Sequence, residues 1–173
     1  PKFIRYIFDI YAWIFRGTPL ILQLIFFYYG LPLMTNNLIA FPAFTSAAIT
    51  FILNYSAYLM EIFRAGIESI EKGQFEAAYV LNLNRRQIMT RIILPQAVRR
   101  VLPPLSNEAI NLVKDTALVI VLGIGDLMLH AREILTRDFK LLPFVIAGII
   151  YLAFTSVLVL IFRRLEKKYV IRN

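Results

Sequence analysis

Residues 76–95 read EAAYVLNLNRRQIMTRIILP, a polar and basic stretch that lies between long apolar runs. It begins with Glu-Ala-Ala and ends with Leu94 and Pro95. A helix needs about 20 apolar residues to cross a bilayer. A basic segment between such runs is typical of a cytoplasmic loop in a helical membrane protein. The fold then depends on how many spans surround this loop.

The composition also favours a membrane protein. Of the 173 residues, 59% are hydrophobic and the mean hydropathy is +0.67, whereas a soluble domain is about 45–50% apolar. The net charge of +8 would suggest nucleic acid in a soluble chain, but cytoplasmic loops of membrane proteins are rich in Lys and Arg. We therefore expect no nucleic-acid partner. With no cysteine and one histidine, no Cys/His metal site is expected either.

Uncharged runs locate three spans. Residues 17–60 carry no charged side chain, which is long enough for two spans at about 18–34 and 43–60. Residues 141–162 are also uncharged and predict another span. Residues that favour turns break the first run. They are Gly30, Pro32, Asn36, Asn37 and Pro42, with Thr35 directly before the two asparagines.

A fourth span is predicted at about 98–124, although charged residues interrupt it. Pro103-Pro104 should kink its start. Charged residues at membrane depth must face protein or water, so the alternative is a long amphipathic cytoplasmic helix. The apolar run 117–122 favours a span.

Loop charges set the orientation. Residues 61–100 carry seven Lys or Arg and residues 163–173 carry five, whereas residues 35–42 carry none. The positive-inside rule places the loop at 61–100 and the C-terminus in the cytoplasm. The predicted fold class is all-α: a single polytopic membrane domain over 1–173, with four visible spans and a cytoplasmic helical loop at about 64–97.

Within this loop, the sequence predicts a helix-turn-helix. Gly73-Gln74 is expected to open a short helix with Glu76 in its first turn, where the helix dipole favours an anion. Asparagines at 82 and 84 are expected to end it, and residues 85–91 to form a second short helix before Pro95. The small side chains of Ala77 and Ala78 would let another surface approach closely.

The ordered residues of the loop resemble the membrane subunits of ATP-binding-cassette importers. That family shows Glu-Ala-Ala, three residues, Gly, nine residues, then Ile-x-Leu-Pro, and this chain departs only in having Asn82 for the glycine. Asparagine is the next most tolerant residue at a position of positive φ. The resemblance implies that the loop couples the chain to an ATPase through Gly73, Glu76, Ala77, Ala78, Asn82, Ile92, Leu94 and Pro95.

Further segments are similar to the polar amino-acid uptake branch: residues 15–19 (FRGTP), 61–66 (EIFRAG), 94–97 (LPQA) and 114–116 (KDT). The resemblance implies five spans with the N-terminus outside, so one span would precede Pro1. It also implies a prokaryotic inner membrane, a second permease that is either a copy or a paralogue, two ATPase subunits, an extracytoplasmic substrate-binding protein and an amino-acid substrate.

The sequence has no G-x-x-x-x-G-K-[ST] phosphate loop. ATP and Mg²⁺ are therefore expected in the partner ATPase, and no cofactor is expected on this chain. We see no nucleophile–base constellation, so the chain is predicted to be a transport subunit and not an enzyme.

Two polar stripes at helical spacing are candidates for the substrate pathway. The alternatives are a surface ion pair between Glu61 and Arg64, an inter-helix hydrogen bond from Asn54, and neutralisation of a basic neighbour by Asp115. Several carboxylates would suit a cationic amino acid, although Lys114 or Arg64 would serve a substrate carboxylate equally well. The pathway candidates are Asn54, Tyr58 and Glu61 on one span, and Glu108, Asn111, Asp115 and the adjoining Thr116 on another.

Two other functions compete with the importer. A self-contained ion-coupled transporter or channel would use the intramembrane carboxylates, but would need no ordered docking loop. A scaffold that recruits a cytosolic protein would have no use for polar stripes inside its spans.

Overall fold

The computed structural model describes residues 2–169, and each regular element in that range is helical. Residues 170–173, with Arg172 of the predicted cytoplasmic terminus, lie outside the described residues. The helices are α1 (Lys2–Gly17), α2 (Leu20–Met34), α3 (Ala43–Glu68), α4 (Lys72–Val80), α5 (85–115), α6 (Leu127–Asp138) and α7 (Leu142–Tyr169), and a 3₁₀ segment (Thr116–Leu122) follows α5.

Among the described residues, α3 and α7 are each long and apolar enough to cross a membrane. A third span results if α1 and α2 are counted as one pair, which is bent by 102° at the break between them. The predicted spans at 43–60 and 141–162 fall on α3 and α7. The predicted span at 18–34 falls on α2, which counts as spanning only together with α1 and not as a span of its own. However, α3 continues to Glu68, well beyond the predicted end, because no proline interrupts it.

The prediction of one span over 98–124 needs correction. α5 ends at Asp115, and residues 116–122 form the tighter 3₁₀ segment. The run continues directly from α5 as this tighter helix, and its last residue, Leu122, is buried against Leu24 of α2 and Ala47 of α3. Within residues 2–169, α5 is not among the helices apolar enough to span alone.

The predicted short second helix at 85–91 is also wrong as a separate element. α5 begins at Arg85 and continues through Leu94 and Pro95, with a wider π turn over Ile88–Ile93. Proline has no amide to donate to a carbonyl four residues earlier, and its ring clashes there. The π turn changes the hydrogen-bond register before Pro95, which lets one helix run from the loop into the membrane domain.

The bend between α1 and α2 follows from Pro19, which precedes α2 in extended conformation with ψ 136°. Buried Gln23 secures the bend through its side-chain amide. Its Nε2 donates to the carbonyl of Phe15 at 2.9 Å, and to the carbonyl and hydroxyl of Thr18 at 3.1 and 2.8 Å. The bend therefore has a fixed shape.

α3 is the central helix, because it contacts α1, α2 and α5. It approaches α5 most closely at buried Gly66, where an added Cβ would lie 2.2 Å from Cγ2 of Val101. α5 then contacts α7, and α7 contacts α6. Many large apolar side chains of α7 are exposed, as expected for a helix that faces lipid.

Candidate coupling segment and substrate cavity

The coupling segment consists of α4, a tight turn and the start of α5. The turn is formed by Asn82, which adopts positive φ (56°). Asn84 then caps α5: its side chain accepts from the Gln87 amide, and the Gln87 side chain accepts from the Asn84 amide, both at 2.9 Å. Asparagine tolerates the left-handed region, so Asn82 has the conformation expected for the glycine of the importer pattern.

The segment has its own small apolar core. Ala78 is 1% exposed and packs with Ile70, Ile88 and Ile93, which are also buried. The expectation that Ala78 would face another surface therefore fails in this structure. Its small size is explained instead by the approach of α4 to α5.

The opposite face of α4 is exposed. Glu76 and Ala77 point outward, and the chain continues into a projecting apolar run in which Val80 is 86% exposed, flanked by Tyr79 and Leu81. Exposed apolar groups of this kind mark contact surfaces for other proteins. This face is therefore available to a partner.

The remaining coupling residues are divided between surface and core. Gly73 is exposed with open space beside it, Ile92 packs against the segment's core, and Leu94 and Pro95 are exposed. Glu76 is not in the first turn of its helix as predicted, because α4 starts at Lys72 and Glu76 is its fifth residue.

The polar stripes of α3 and α5 meet at an open cavity of about 470 Å³. Five of the seven predicted pathway residues line it: Asn54, Tyr58, Glu108, Asn111 and Asp115. The bend between α1 and α2 closes the cavity from another side, with Arg16, Gly17, Thr18, Pro19 and Leu20.

Asp115 is held on the cavity wall by Tyr55, whose hydroxyl donates to its Oδ2 at 2.8 Å. The alternative that Asp115 neutralises a basic neighbour finds no ion pair among the described residues. Thr116 does not line the cavity; its hydroxyl donates to the Val113 carbonyl at 2.6 Å.

Asn54 has a structural contact as well as a place in the cavity wall. It is 5% exposed, and its Nδ2 donates to the Phe15 carbonyl and to Oε1 of Gln23, both at 3.0 Å. The predicted inter-helix hydrogen bond is therefore present, and it fastens the α1–α2 bend to α3.

Glu61 lines a second cavity of about 450 Å³. Its carboxylate accepts from Arg64 at 2.6 Å and lies 3.3 Å from Nη1 of Arg16. The predicted Glu61–Arg64 ion pair is present. Glu61 therefore both forms this ion pair and lines a cavity.

Sequence reasoning missed three residues of the site. Arg16 and Tyr55 line the cavity, and Gln23 supports it by accepting a hydrogen bond from Asn54. Two signals could have pointed to Arg16: it is the last charged residue before the uncharged run 17–60, and it lies in the FRGTP stretch at 15–19. Tyr55 and Gln23 are uncharged residues within apolar runs, and only the packing of α2, α3 and α5 reveals their contacts.

Comparison with known proteins identifies the class. The family model described as "Binding-protein-dependent transport system inner membrane component" matches residues 1–171. The glutamine transport system permease protein GlnP of Escherichia coli (strain K12) is 42% identical over 156 residues, which cover 90% of this chain and 71% of that protein. The arginine transport system permease protein ArtQ of Bacillus subtilis (strain 168) is 41% identical over 161 residues, which cover 92% and 73%.

A solved structure described as "Crystal structure of an amino acid ABC transporter with histidines" has a similar fold. It matches with a TM-score of 0.88 and 35% sequence identity, over 96% of this chain and 77% of that one. The match covers nearly the whole chain, so the helical architecture is shared.

Apolar spanning helices, a polar cavity and a helical segment with an exposed face are features of a membrane transport subunit. The chain belongs to the family of binding-protein-dependent transport system inner membrane components. This confirms the predicted permease of an ATP-binding-cassette importer, similar to the polar amino-acid branch, and a multi-pass location in the inner membrane.

Proposed function

We propose that this chain forms the pathway for a polar amino acid and transmits the work of a partner ATPase to it through the coupling segment. The observation that carries the proposal is the direct connection between the two sites. α5 begins in the coupling segment and carries Glu108, Asn111 and Asp115 of the cavity on one continuous helix. A force on α4 would pass to α5 through the packing of Ala78 against Ile88 and Ile93, and then along α5 to the cavity.

The docking role is supported by the exposed face of α4. Glu76 provides a negative charge beside the projecting apolar run of Tyr79, Val80 and Leu81. A partner groove with an apolar floor and a basic rim would match this surface. ATP and Mg²⁺ belong to that partner in this proposal, and this chain contributes no catalytic residue.

The pathway role is supported by the chemistry of the cavity. Glu108 and Asp115 carry acceptor oxygens for a substrate ammonium, and Asn111 and Tyr58 add neutral polar groups. An amino acid needs both kinds of partner, because it carries an ammonium and a carboxylate. The relatives named for glutamine and arginine transport agree with a polar amino acid.

The proposed assembly contains a second permease, either another copy or a paralogue, two ATPase subunits and an extracytoplasmic binding protein. The coupling segment and the C-terminus face the cytoplasm, in agreement with the charge of the loops. The whole chain, 1–173, acts as one membrane domain with the segment as part of it.

The test is ATP-driven uptake by the complete transporter in proteoliposomes, with a panel of radiolabelled amino acids. Asp115→Asn should raise KM for the preferred substrate by about tenfold, because a hydrogen bond to a charged group contributes roughly 1.5–3 kcal/mol. The matched control is Asp138→Asn, the same change at the end of α6, which should leave uptake unchanged. Unchanged KM in Asp115→Asn for each amino acid of the panel would contradict the pathway role.

A further inference from the structure

The two cavities share one wall. Arg16, Tyr58 and Glu108 line both the cavity that contains Asp115 and the cavity that contains Glu61. These three side chains come from different helices, α1, α3 and α5, and they meet between the two spaces. These three residues therefore form the boundary between the two spaces.

The cavities are arranged in sequence along the same groove. On α3, residues 54, 55 and 58 line the first cavity, and residues 58, 61, 62 and 65 line the second, which is nearer the coupling segment. α5 shows the reverse order, with 108, 111 and 115 in the first and 104, 107 and 108 in the second. At about 1.5 Å per residue, the α3 residues extend over roughly 16 Å, so a solute moving toward the coupling segment meets the shared wall on its way.

Arg16 is the cationic member of this wall. Its guanidinium lies 5.6 Å from the centre of the Tyr58 ring and 3.3 Å from the Glu61 carboxylate. Its side chain is 42% exposed, whereas that of Glu61 is 18% exposed. Arg64 is equally exposed but hydrogen-bonds Glu61 at 2.6 Å, so the longer Arg16 contact is the weaker of the two. Ion pairs open to solvent contribute roughly 0.2–1 kcal/mol, and Arg16 therefore leaves Glu61 at smaller cost than Arg64 would.

Glu61 does not become unpaired when Arg16 leaves. Arg64 donates to the same carboxylate oxygen at 2.6 Å, and its other amine lies 3.7 Å from Asp9. A buried charge that loses its last partner is costly, but here Arg64 retains Glu61 in both arrangements. Arg16 is therefore the exchangeable partner and Arg64 the permanent one.

We propose that Arg16 is the gate between the two cavities, and that it exchanges Glu61 for the carboxylate of the amino acid that passes. Guanidinium groups bind carboxylates in a planar, two-point fashion, so one carboxylate replaces another without loss of pairing. Glu108 in the same wall takes the substrate ammonium. This inference rests on the proposed function of the first cavity. It adds a residue that selects for the substrate carboxylate and that blocks passage when no substrate is bound.

The experiment uses the absence of cysteine from the chain. Asn111→Cys places a thiol in the first cavity, and Ala65→Cys places one in the second. The complete transporter is labelled in inside-out vesicles without ATP, using membrane-impermeant methanethiosulfonates, and labelling is measured on this chain. The test needs neither uptake nor ATP. The gate can therefore fail this test while the transport proposal stands, and the transport proposal can fail its uptake test while the gate stands.

Four second-site backgrounds separate a gate from general loosening. In Arg16→Ala and in Glu61→Gln, the labelling rate at Asn111→Cys should rise by about twofold to fivefold, the change in open population expected from the loss of one partly exposed ion pair. Arg16→Lys retains the charge and should stay close to the parent rate. Arg64→Gln should not raise the rate, since Glu61 then holds Arg16 alone. Ala65→Cys should label equally in all backgrounds.

Two results would overturn the gate: equal labelling at Asn111→Cys in all backgrounds, or an equal rise in Arg64→Gln and Arg16→Ala. The carboxylate exchange has its own readout. At Asn111→Cys, the rate for a sulfonate-bearing reagent relative to a trimethylammonium-bearing reagent should fall by about threefold in Arg16→Gln, because a favourable charge has been removed. An unchanged ratio would show that Arg16 does not select for anions.

Discussion

Replacing Gly66 with alanine tests whether α3 and α5 must touch where the coupling segment joins the membrane domain. The new Cβ would lie 2.2 Å from Cγ2 of Val101 and 3.5 Å from the Ala97 carbonyl. Since carbon atoms pack at about 3.5–4.0 Å, the helices would have to separate by more than about 1 Å. Val101 is β-branched and strongly prefers one rotamer in a helix, so it cannot simply rotate away.

The expected cost can be isolated with a matched glycine. Overpacking costs about 1–3 kcal/mol, while alanine in a helix gains about 1 kcal/mol over glycine. Gly148 in α7 has open space beside it. Gly148→Ala should therefore gain helix stability from alanine, as Gly66→Ala does, but without a steric clash. Gly66→Ala should therefore melt lower than Gly148→Ala by roughly 2–4 °C for each kcal/mol of clash.

The assay is thermal unfolding of the detergent-solubilised transporter, followed by size-exclusion of the fluorescently tagged chain. Val101→Ala removes the atom that Gly66→Ala would meet, so the double variant should recover much of the loss. This non-additivity is the signature of direct contact. Equal melting temperatures for Gly66→Ala and Gly148→Ala would refute the close approach.

Three further predictions concern single side chains. Asn82→Ala should destabilise the coupling segment by about 1–2 kcal/mol, the cost of positive φ for an ordinary residue, whereas Asn82→Gly should be tolerated; limited proteolysis of the loop measures this. Ala78→Leu should overpack the core of the segment, lower its stability by roughly 1–3 kcal/mol and increase proteolysis. Ala77→Leu, on the exposed face, should leave proteolysis unchanged and weaken ATPase binding. Tyr55→Phe removes the 2.8 Å bond to Asp115. It should raise KM by about threefold to tenfold, which is less than the full roughly 1.5–3 kcal/mol of a hydrogen bond to a charged group, because this bond orients Asp115 and does not itself hold the substrate. An unchanged KM would mean that Asp115 needs no orientation.

The parts of the fold that sequence predicts are those governed by local chemistry. Uncharged runs located the helices α3 and α7, and the asparagine at 82 indicated a turn with positive φ, which the structure confirms. The polar stripes of α3 and α5 were also readable from helical spacing, and five of their residues meet at one cavity. Whether those residues serve a substrate stays a prediction.

The parts that sequence could not predict depend on contacts between distant segments. Ala78 looks equally suited to an outer or an inner surface, and only the packing against Ile88 and Ile93 decides that it is inside. α5 continues through Pro95 with a π turn just before it, and such a turn has no simple sequence signature. Arg16 was noticed as part of a family pattern, but its place between two cavities depends on the bend before α2.

The central claim is that the exposed face of α4 docks on an ATPase, and co-purification tests it most directly. The tagged chain would be purified in mild detergent from membranes that contain the whole transporter, and the accompanying subunits quantified by mass spectrometry. Glu76→Lys reverses a charge on the exposed face of α4, and Glu133→Lys makes the same change on exposed α6. We predict a stoichiometric ATPase with the parent chain and with Glu133→Lys, and its loss in Glu76→Lys. Full retention of the ATPase in Glu76→Lys would contradict the account.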